Sequence, residues 1–338
     1  MKPLDYGSNM SAHPTLWILC PCYYDFASVI ELTKRAQRTL EQNFPQYFQI
    51  RFVPIDDSGG QDTEFRTQVT FPMSMTVPYN LGHQGALVYA LRQMSGVIED
   101  FDYVVTLDAD GEDRPEDLPA LLAPLMRQPD ELSLVALAAR TKRQESPVFK
   151  LCYLVFKSIF QLLTGSTVKN GNFAAYRGWT VRHLLFHPFF DYCYSSSLLA
   201  LAPNRRNVPL PRGNRYFGKT KMTWTSLIAH GFRMMLPFSE RIAVRGIILS
   251  PFLFACGALS AISTVALPAN LSAFAMAAAF LFFSAGLLGL ATAGIFFQVV
   301  NQTKALTIRN VSISGITRDP FCETVQSSDV VSAKFLRD

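Results

Sequence analysis

The chain has 338 residues, of which 49% are hydrophobic and 17% charged, and a formal net charge of +5 at pH 7. This length allows one large domain or two modest ones. The charges are distributed unevenly, because no Asp, Glu, Lys or Arg occurs from Gly246 to Thr303. Such a gap argues against an ordinary soluble globular domain of this composition.

The uncharged stretch is long enough to cross a membrane twice. Residues 268–270 (Pro-Ala-Asn) divide it into two apolar halves, and each half reaches the ~20 residues that a helix needs to span a bilayer. We therefore predict two transmembrane helices, at about 246–267 and 272–298, joined by a short turn. The alternative is a buried core hairpin, which the length and all-round apolarity disfavour.

Basic residues lie at the two outer ends of the predicted hairpin and not at its turn. The turn is uncharged, whereas the outer flanks carry Arg233, Arg241, Arg245, Lys304 and Arg309. The positive-inside rule then predicts that everything before the hairpin, and the C-terminal tail, are cytoplasmic. The segment before Pro14 has no apolar core and does not predict a signal peptide.

The six cysteines do not show the spacing of a metal site. A cytoplasmic body predicts reduced thiols, and we expect packing roles for Cys20, Cys22, Cys152, Cys193, Cys256 and Cys322.

A basic cluster precedes the membrane segment. Its members are Arg205, Arg206, Arg212, Arg215, Lys219 and Lys221. Such a cluster suits phosphates or anionic head groups. Because it lies beside a membrane anchor and not on an independent basic domain, it does not favour a nucleic-acid partner.

Strand and helix patterns alternate in the first third of the chain. Predicted strands lie at 16–20, 48–55, 73–77 and 103–107, and predicted helices at 27–40 and 84–94. This alternation predicts a mostly parallel sheet with ligands at the carboxyl ends of its strands. The polar clusters of the sequence fall at these ends.

The fourth predicted strand runs directly into carboxylates. Asp108, Asp110 and Glu112 can point the same way along extended chain, with Asp113 beside them. Oxygen ligands so spaced suit Mg²⁺ or Mn²⁺ and leave room for substrate phosphates. The alternative is an acidic turn that caps a helix starting at Pro115.

Further apolar segments follow the acidic loop. A helix to about residue 127 and a strand at 132–138 are predicted, and the strand ends near Arg140 and Arg143. Residues 147–163 predict an amphipathic helix, which could lie on the membrane surface or cover the sheet. The sequence leaves both open.

Six motifs occur in an order that resembles glycosyltransferase family 2, specifically polyprenyl-phosphate glycosyltransferases such as dolichyl-phosphate mannose synthase and undecaprenyl-phosphate sugar transferases. The resemblance covers about residues 16–300. Its motifs are Pro-Cys-Tyr-Tyr-Asp (21–25), Asp-Asp-Ser-Gly-Gly (56–60), Asn-Leu-Gly-His-Gln (80–84), Leu-Asp-Ala-Asp-Gly-Glu-Asp (107–113), Arg-Tyr-Phe-Gly-Lys-Thr-Lys (215–221) and Phe-Ser (238–239).

The resemblance implies a fold and a reaction. The expected architecture is α/β, a GT-A-like Rossmann-type nucleotide-sugar domain followed by the two-helix hairpin. The expected enzyme is an inverting hexosyltransferase that moves a sugar from a UDP- or GDP-sugar to undecaprenyl or dolichyl phosphate at the cytoplasmic membrane face, in cell-envelope glycan synthesis. Relatives also suggest a homo-oligomer, and Gly286, Gly289 and Gly294 would permit close helix packing.

The resemblance also implies residue roles. Nucleotide binding falls to Pro21, Tyr23, Asp25, Asp56, Asp57 and Asp108. The expected ligands of Mg²⁺ or Mn²⁺ are Asp108, Asp110 and Glu112. Asp110, Arg215 and Lys221 are expected to be catalytic, and Arg215, Lys221, Arg140 and Arg143 to bind the acceptor phosphate.

Three residues depart from the family pattern. Glu112 stands where relatives have Gln, Asp25 shortens the usual Glu, and Asn172 stands where relatives have Asp. Two rival functions stay open: transfer to another glycolipid or polysaccharide acceptor, which the short hairpin disfavours, and a non-catalytic nucleotide-binding membrane scaffold, to which Asn172 and Glu112 lend some weight.

The predicted domain boundaries follow from these segments. They are a flexible N-terminus (1–14), the catalytic domain (15–215), an interfacial segment (216–245), the two membrane helices (246–300) and a cytoplasmic tail (301–338).

Overall fold

A computed structural model describes residues 13–68, 71–140, 147–168, 170–217 and 223–317. The strands are β1 (Thr15–Cys22), β2 (Gln49–Asp56), β3 (Met75–Thr76), β4 (Tyr103–Thr106), β5 (Leu134–Arg140), β6 (Asn170–Arg177) and β7 (Asn204–Leu210). The helices of the first part are α1 (Phe26–Asn43), α2 (Thr63–Gln68), α3 (Gly82–Gln93), α4 (Leu118–Arg127), α5 (Pro147–Thr164), α6 (Gly178–His183), α7 (Phe189–Tyr192) and α8 (Tyr194–Leu201). The C-terminal helices are α9 (Trp224–Met235), α10 (Ser239–Ser263) and α11 (Ala269–Thr317), and short 3₁₀ turns occupy Met94–Gly96, Pro115–Asp117 and Leu236–Phe238.

The seven strands form one mixed sheet in the order β3-β2-β1-β4-β6-β5-β7. All neighbouring pairs are parallel except those of β6, which runs antiparallel to both β4 and β5. The carboxyl ends of the parallel strands therefore share one edge of the sheet with the amino end of β6. The sequence clusters of polar residues meet at this edge.

Helices cover both faces of the sheet, because side chains alternate along each strand. On one face, Ile18 and Val105 pack in a core with α1 and α4. On the other face, Leu19 and Val104 pack in a core with α3 and α8. This three-layer arrangement around a mostly parallel sheet is the predicted α/β, GT-A-like architecture.

The C-terminal part contains two helices long and apolar enough to cross a membrane, in the segments Thr225–Ser263 and Ala269–Gln302. Only 22% and 11% of their most apolar windows are buried within the protein, so neither is the core of the globular part. The two helices pack against each other as a hairpin, and Ser260 Oγ donates a hydrogen bond to the Ala275 carbonyl across it (2.9 Å). Both helices extend beyond the predicted spans, since α10 begins at Ser239 and α11 continues to Thr317.

Two glycines of the hairpin allow close packing between its own two helices. A Cβ at Gly286 would meet the ring of Phe254, and one at Gly289 would meet Ser250, so both glycines face α10. Close packing at these positions joins the two helices of one molecule. The predicted homo-oligomer stays a prediction.

Two strands were not predicted from the sequence. β6 contains the short apolar run Phe173–Tyr176 between polar residues, and β7 carries exposed arginines that resemble a basic loop. The predicted amphipathic helix α5 is present, and it contacts α9 and α10 while Leu154, Val155 and Leu162 remain exposed. It therefore packs on two of the C-terminal helices and still presents an apolar face outward.

Candidate active site at the carboxyl edge of the sheet

The carboxylate loop, residues 107–113, leaves the end of β4 in the middle of the sheet. Leu107 continues the strand, because its N–H donates to the Leu19 carbonyl of β1 (3.2 Å). Asp110 Oδ1 accepts the Glu112 N–H (3.0 Å), which bends the chain back on itself. Gly111 completes this turn at a φ of +91°, in the left-handed region that favours glycine.

The first two carboxylates of this loop repel each other. Burial raises the pKa of Asp110, and the neighbouring charge of Asp108 raises it further, while Arg215 acts in the opposite direction. A partly buried carboxylate pair of this kind is stabilised by a nearby cation.

Asn172, at the start of β6, contacts the loop directly. Its Nδ2 donates to Asp108 Oδ1 (3.0 Å), and its buried Oδ1 has no hydrogen-bond partner among the described residues. The backbone carbonyl of Asn172 accepts from Thr106 Oγ1 (2.7 Å). Behind it, hydroxyls continue from Thr106 to Tyr194 (2.9 Å) and Tyr176 (2.8 Å). This buried chain holds the strand end that carries Asn172.

Asp113 supports the loop from beneath. Its Oδ2 accepts the Asp108 N–H (3.0 Å), and its Oδ1 accepts from Arg140 Nη2 (3.2 Å). Burial and the charge of Asp108 raise the pKa of Asp113 to about 7, and Arg140 opposes that rise. Arg140 is therefore occupied in an ion pair within the protein, at the end of β5.

A segment that we call the strap, residues Arg212–Tyr216, lies across the carboxylate loop. Gly213 N–H donates to the Glu112 carbonyl (2.8 Å), and Tyr216 N–H donates to the Asp110 carbonyl (2.8 Å). The approach is close, because a Cβ at Gly213 would lie 2.2 Å from the Gly111 carbonyl oxygen, and one at Gly111 would lie 2.7 Å from the ring of Tyr216. These two glycines allow the two segments to pair.

The strap brings two arginines to the carboxylates. Arg215 Nη2 lies 2.7 Å from Asp110 Oδ2, and Arg215 Nε lies 3.3 Å from Glu112 Oε1. Arg212 Nε donates to Glu112 Oε2 (3.0 Å), and its Nη2 contacts the same oxygen. The loop and the strap thus form a mixed cluster of acidic and basic groups at the protein surface, where each arginine side chain is about a quarter to a third exposed.

The predicted nucleotide-binding residues follow the two adjacent strands. Pro21, Tyr23 and Asp25 lie at the end of β1, and Asp56 and Asp57 lie at the end of β2. The strands β2, β1 and β4 are neighbours in the sheet, and adjacent strands lie ~5 Å apart. The predicted nucleotide-binding residues therefore lie beside the carboxylate loop along the same edge.

The two aspartates after β2 have different surroundings. Asp57 N–H donates to the Cys22 carbonyl (2.8 Å) and its Oδ1 accepts the Leu81 N–H (2.8 Å), which ties three loops together. Burial raises the pKa of Asp57, and the Leu81 hydrogen bond and His83 lower it. Asp56 Oδ1 accepts the Ser58 N–H (2.9 Å), whereas its buried Oδ2 has no partner among the described residues.

Asp25 is used locally at the start of α1. Its Oδ1 accepts from Ser28 Oγ (2.7 Å). Tyr23, half-buried beside it, packs edge-on against the Tyr24 ring.

The structure brings most predicted site residues to one edge, but not all of them can be located. Lys221 and Arg143 lie outside the described residues. Within the described part of the chain, no three His, Cys, Asp or Glu side chains converge as a ready metal site. In particular, both oxygens of Glu112 contact arginines.

The sequence assigned no specific site role to Arg212 or Tyr216, and it offered Asp113 only as an alternative cap of the helix that starts at Pro115. Arg212 was predicted only as part of a basic cluster. A signal was available for Tyr216, since Gly111 leaves a gap in the carboxylate loop that a ring can fill.

Comparison with known proteins gives a family match for this region. Residues 74–177 match the family model "Glycosyl transferase family 2", a span that runs from β3 to β6 and contains the carboxylate loop and Asn172. Among solved structures, TarS 1–349 of S. aureus is similar at 14% identity and a TM-score of 0.37, with 93% of this chain and 94% of that chain covered. A 4-diphosphocytidyl-2C-methyl-D-erythritol synthase is similar at 10% identity and a TM-score of 0.37, with 65% of this chain and 99% of that chain covered. The family match lies in the region that carries the candidate site and supports a glycosyltransferase, with this part of the chain resembling a glycosyl transferase family 2 domain.

Proposed function

We propose that the protein transfers one sugar from a nucleotide-sugar donor to the phosphate of a polyprenyl lipid, with inversion at the sugar carbon. The family match supports transfer from a nucleotide sugar. The observation that supports a lipid-phosphate acceptor is the position of Arg215, beside Asp110 in the candidate site and on a domain joined to two apolar, mostly exposed helices.

The reaction needs no strong base. A phosphate monoester has its second pKa near 6, so its oxygen is already nucleophilic at neutral pH. That oxygen forms a bond to C1 of the sugar while the bond from C1 to the nucleoside diphosphate breaks. The developing charge on the diphosphate is the part of the reaction that the protein must stabilise.

Asp108 and Asp110 fit a divalent cation such as Mg²⁺ or Mn²⁺. Their mutual repulsion, expressed in the raised pKa of Asp110, and the unpartnered Oδ1 of Asn172 beside them favour a hard cation with oxygen ligands. When bound, such a cation would neutralise charge on the leaving diphosphate. Glu112, predicted as a third ligand, would first have to leave its two arginines.

Arg215 would bind two oxygen atoms of one phosphate group. It projects from the strap, eight residues before the N-cap of α9 at Thr223, and α9 leads through a short turn into the first apolar helix. An arginine fork takes two phosphate oxygens, and a lipid phosphate at the membrane surface would reach this position. We keep Lys221 and Arg143 as candidate phosphate ligands, and Arg140 as a residue that shapes the loop through Asp113.

The membrane assignment follows from the two apolar helices and the basic flanks. We propose that the hairpin anchors the enzyme in the cytoplasmic membrane with the catalytic domain in the cytoplasm. The exposed apolar residues of α5 would then lie at the lipid surface.

The purified full-length protein in detergent tests this function. A panel of UDP- and GDP-sugars is incubated with undecaprenyl phosphate or dolichyl phosphate and Mn²⁺ or Mg²⁺. We expect transfer of a single sugar to one of these lipids. Transfer only to a glycolipid or polysaccharide primer would replace the acceptor, and nucleotide binding with neither transfer nor donor hydrolysis would favour a non-catalytic scaffold.

A further inference from the structure

The Glu112 carboxylate is bound to the two guanidinium groups that a phosphate would need. Its Oε2 accepts from Arg212 Nε at 3.0 Å and contacts Arg212 Nη2, so it covers one whole edge of that group. Its Oε1 lies 3.3 Å from Arg215 Nε, while Nη2 of the same arginine is paired with Asp110 Oδ2 at 2.7 Å. Carboxylate and phosphate oxygens bind arginine through the same fork geometry. The Glu112 carboxylate therefore occupies positions that phosphate oxygens would take.

The contact can open without moving the backbone. The Glu112 carbonyl accepts from Gly213 N–H (2.8 Å), and the Glu112 N–H donates to Asp110 Oδ1 (3.0 Å). These bonds hold the loop and the strap together independently of the Glu112 side chain. That side chain is about one-sixth exposed and lies at the surface, so its carboxylate can rotate toward water.

We propose that Glu112 is an intramolecular competitor for phosphate at Arg212 and Arg215, and that a phosphate group binds there by exchanging with the Glu112 carboxylate. The ligand is a phosphate monoester or diphosphate, and the assignment of these arginines to a phosphate site rests on the proposed function. Arg212 thereby becomes a phosphate-binding residue beside Arg215. The exchange keeps both arginines charge-compensated in the absence of substrate.

The proposal predicts that removing the competing charge tightens phosphate binding. Glu112→Gln keeps the size of the side chain and loses the charge. Binding of inorganic pyrophosphate, which stands for the donor diphosphate, and of farnesyl phosphate, which stands for a lipid phosphate, is measured by calorimetry on the full-length protein in detergent. We expect about tenfold tighter binding of at least one probe, since one charge-assisted ion pair no longer has to be broken. The probe that gains affinity identifies the phosphate source.

Two further variants sharpen the test. Glu116→Gln is the matched control, because Glu116 pairs with Arg35 at 2.7 Å and not with the strap arginines. The phosphate affinity of the Glu116→Gln variant is expected to equal that of the natural chain. In a Glu112→Gln background, Arg212→Gln is expected to remove the gain. If Glu112→Gln does not fold, Glu112→Asp replaces it. Because its carboxylate lies one methylene closer to the backbone, we expect it to hold the two arginines less well and to tighten phosphate binding by a smaller factor.

The proposal is overturned if the folded variant binds both probes no more tightly than the natural chain, or if the gain persists without Arg212. Weaker binding would show instead that Glu112 positions the arginines for phosphate. The calorimetric measurement requires neither the nucleotide-sugar donor nor sugar transfer. A positive result together with a negative transfer assay would therefore leave the exchange standing and remove only the proposed reaction.

Discussion

The Asn172 amide donates a 3.0 Å hydrogen bond to Asp108, so this residue supplies a donor to the carboxylate loop. An aspartate at the same place would add a third carboxylate beside Asp108 and Asp110. The natural chain therefore needs less cationic compensation at this point than a chain with that aspartate.

This contact predicts the effect of Asn172→Asp. In excess chelator, we expect the free energy of unfolding to fall by about 2 kcal/mol, since a buried hydrogen bond is replaced by carboxylate repulsion. Mn²⁺ should restore more stability to the variant than to the natural chain. Asn170→Asp is the control on the same strand, because its amide donates to the Ala138 carbonyl and to Asn207. Equal effects of chelator on both variants would contradict this reading.

Asp110→Ala tests the cation site through activity. We expect nearly complete loss of sugar transfer, because a cation that neutralises the leaving group supplies several kcal/mol of transition-state stabilisation. The rate of transfer is measured with and without excess chelator. Asp130→Ala is the control at an exposed carboxylate and should keep full activity. Normal sugar transfer by Asp110→Ala, or by the natural chain in excess chelator, would contradict the assignment of Asp110 to a cation site.

Arg215→Lys separates the acceptor from the donor. Lysine keeps the charge but cannot bind two phosphate oxygens as a fork. We expect lipid-dependent transfer to fall ~10-fold or more while nucleotide-sugar binding, measured without lipid, changes less. Arg38→Lys, on the exposed side of α1, provides the control. Parallel loss of nucleotide affinity would instead assign Arg215 to the diphosphate.

The buried hydroxyls behind the site predict a stability effect. Tyr194 OH bonds to Thr106 Oγ1 and to Tyr176 OH, and all three residues are fully buried. Tyr194→Phe should lower the free energy of unfolding by about 1–2 kcal/mol, because two hydrogen bonds are lost inside the protein. Denaturant titration of the detergent-solubilised protein measures it. Tyr79→Phe, at a ring that is 66% exposed, should be neutral. An unchanged Tyr194→Phe would show that the hydroxyl chain contributes no stability.

The hairpin predicts a topology. In intact cells, a cysteine at Asn270, in a variant without native thiols, should react with an impermeant reagent added from outside, since this exposed residue lies in the first turn of α11, next to its connection with α10. Residue 2 should not react. The reverse pattern would place the catalytic domain outside the cell.

The sequence predicted the central strands because each is a short apolar run followed by turn residues or carboxylates. β1, β2, β4 and β5 all begin or end within about two residues of the predicted bounds. β6 and β7 were missed, because an antiparallel strand placed between β4 and β5 is determined by tertiary pairing and not by its own pattern. The long extensions of α10 and α11 have a different cause, since charged residues at their ends continue the helix beyond the apolar span.

For the candidate site, the sequence located Asp108, Asp110 and Arg215 but not their partners. Motif order could indicate that these residues lie at one edge of the sheet. It could not show that Glu112 binds two arginines, because Arg212 is 100 residues away along the chain. The pairing depends on two close backbone approaches at Gly111 and Gly213, which only the folded chain displays.

The most direct test of the central claim is the chemical form of the product. Purified enzyme is given a nucleotide sugar labelled in the sugar, with undecaprenyl phosphate or dolichyl phosphate, and the lipid product is extracted and treated with mild acid. We predict one labelled sugar per lipid, linked through a single phosphate and released by acid, with anomeric configuration opposite to that of the donor. Label that never enters either lipid, or a lipid sugar without a phosphate link, would contradict the account.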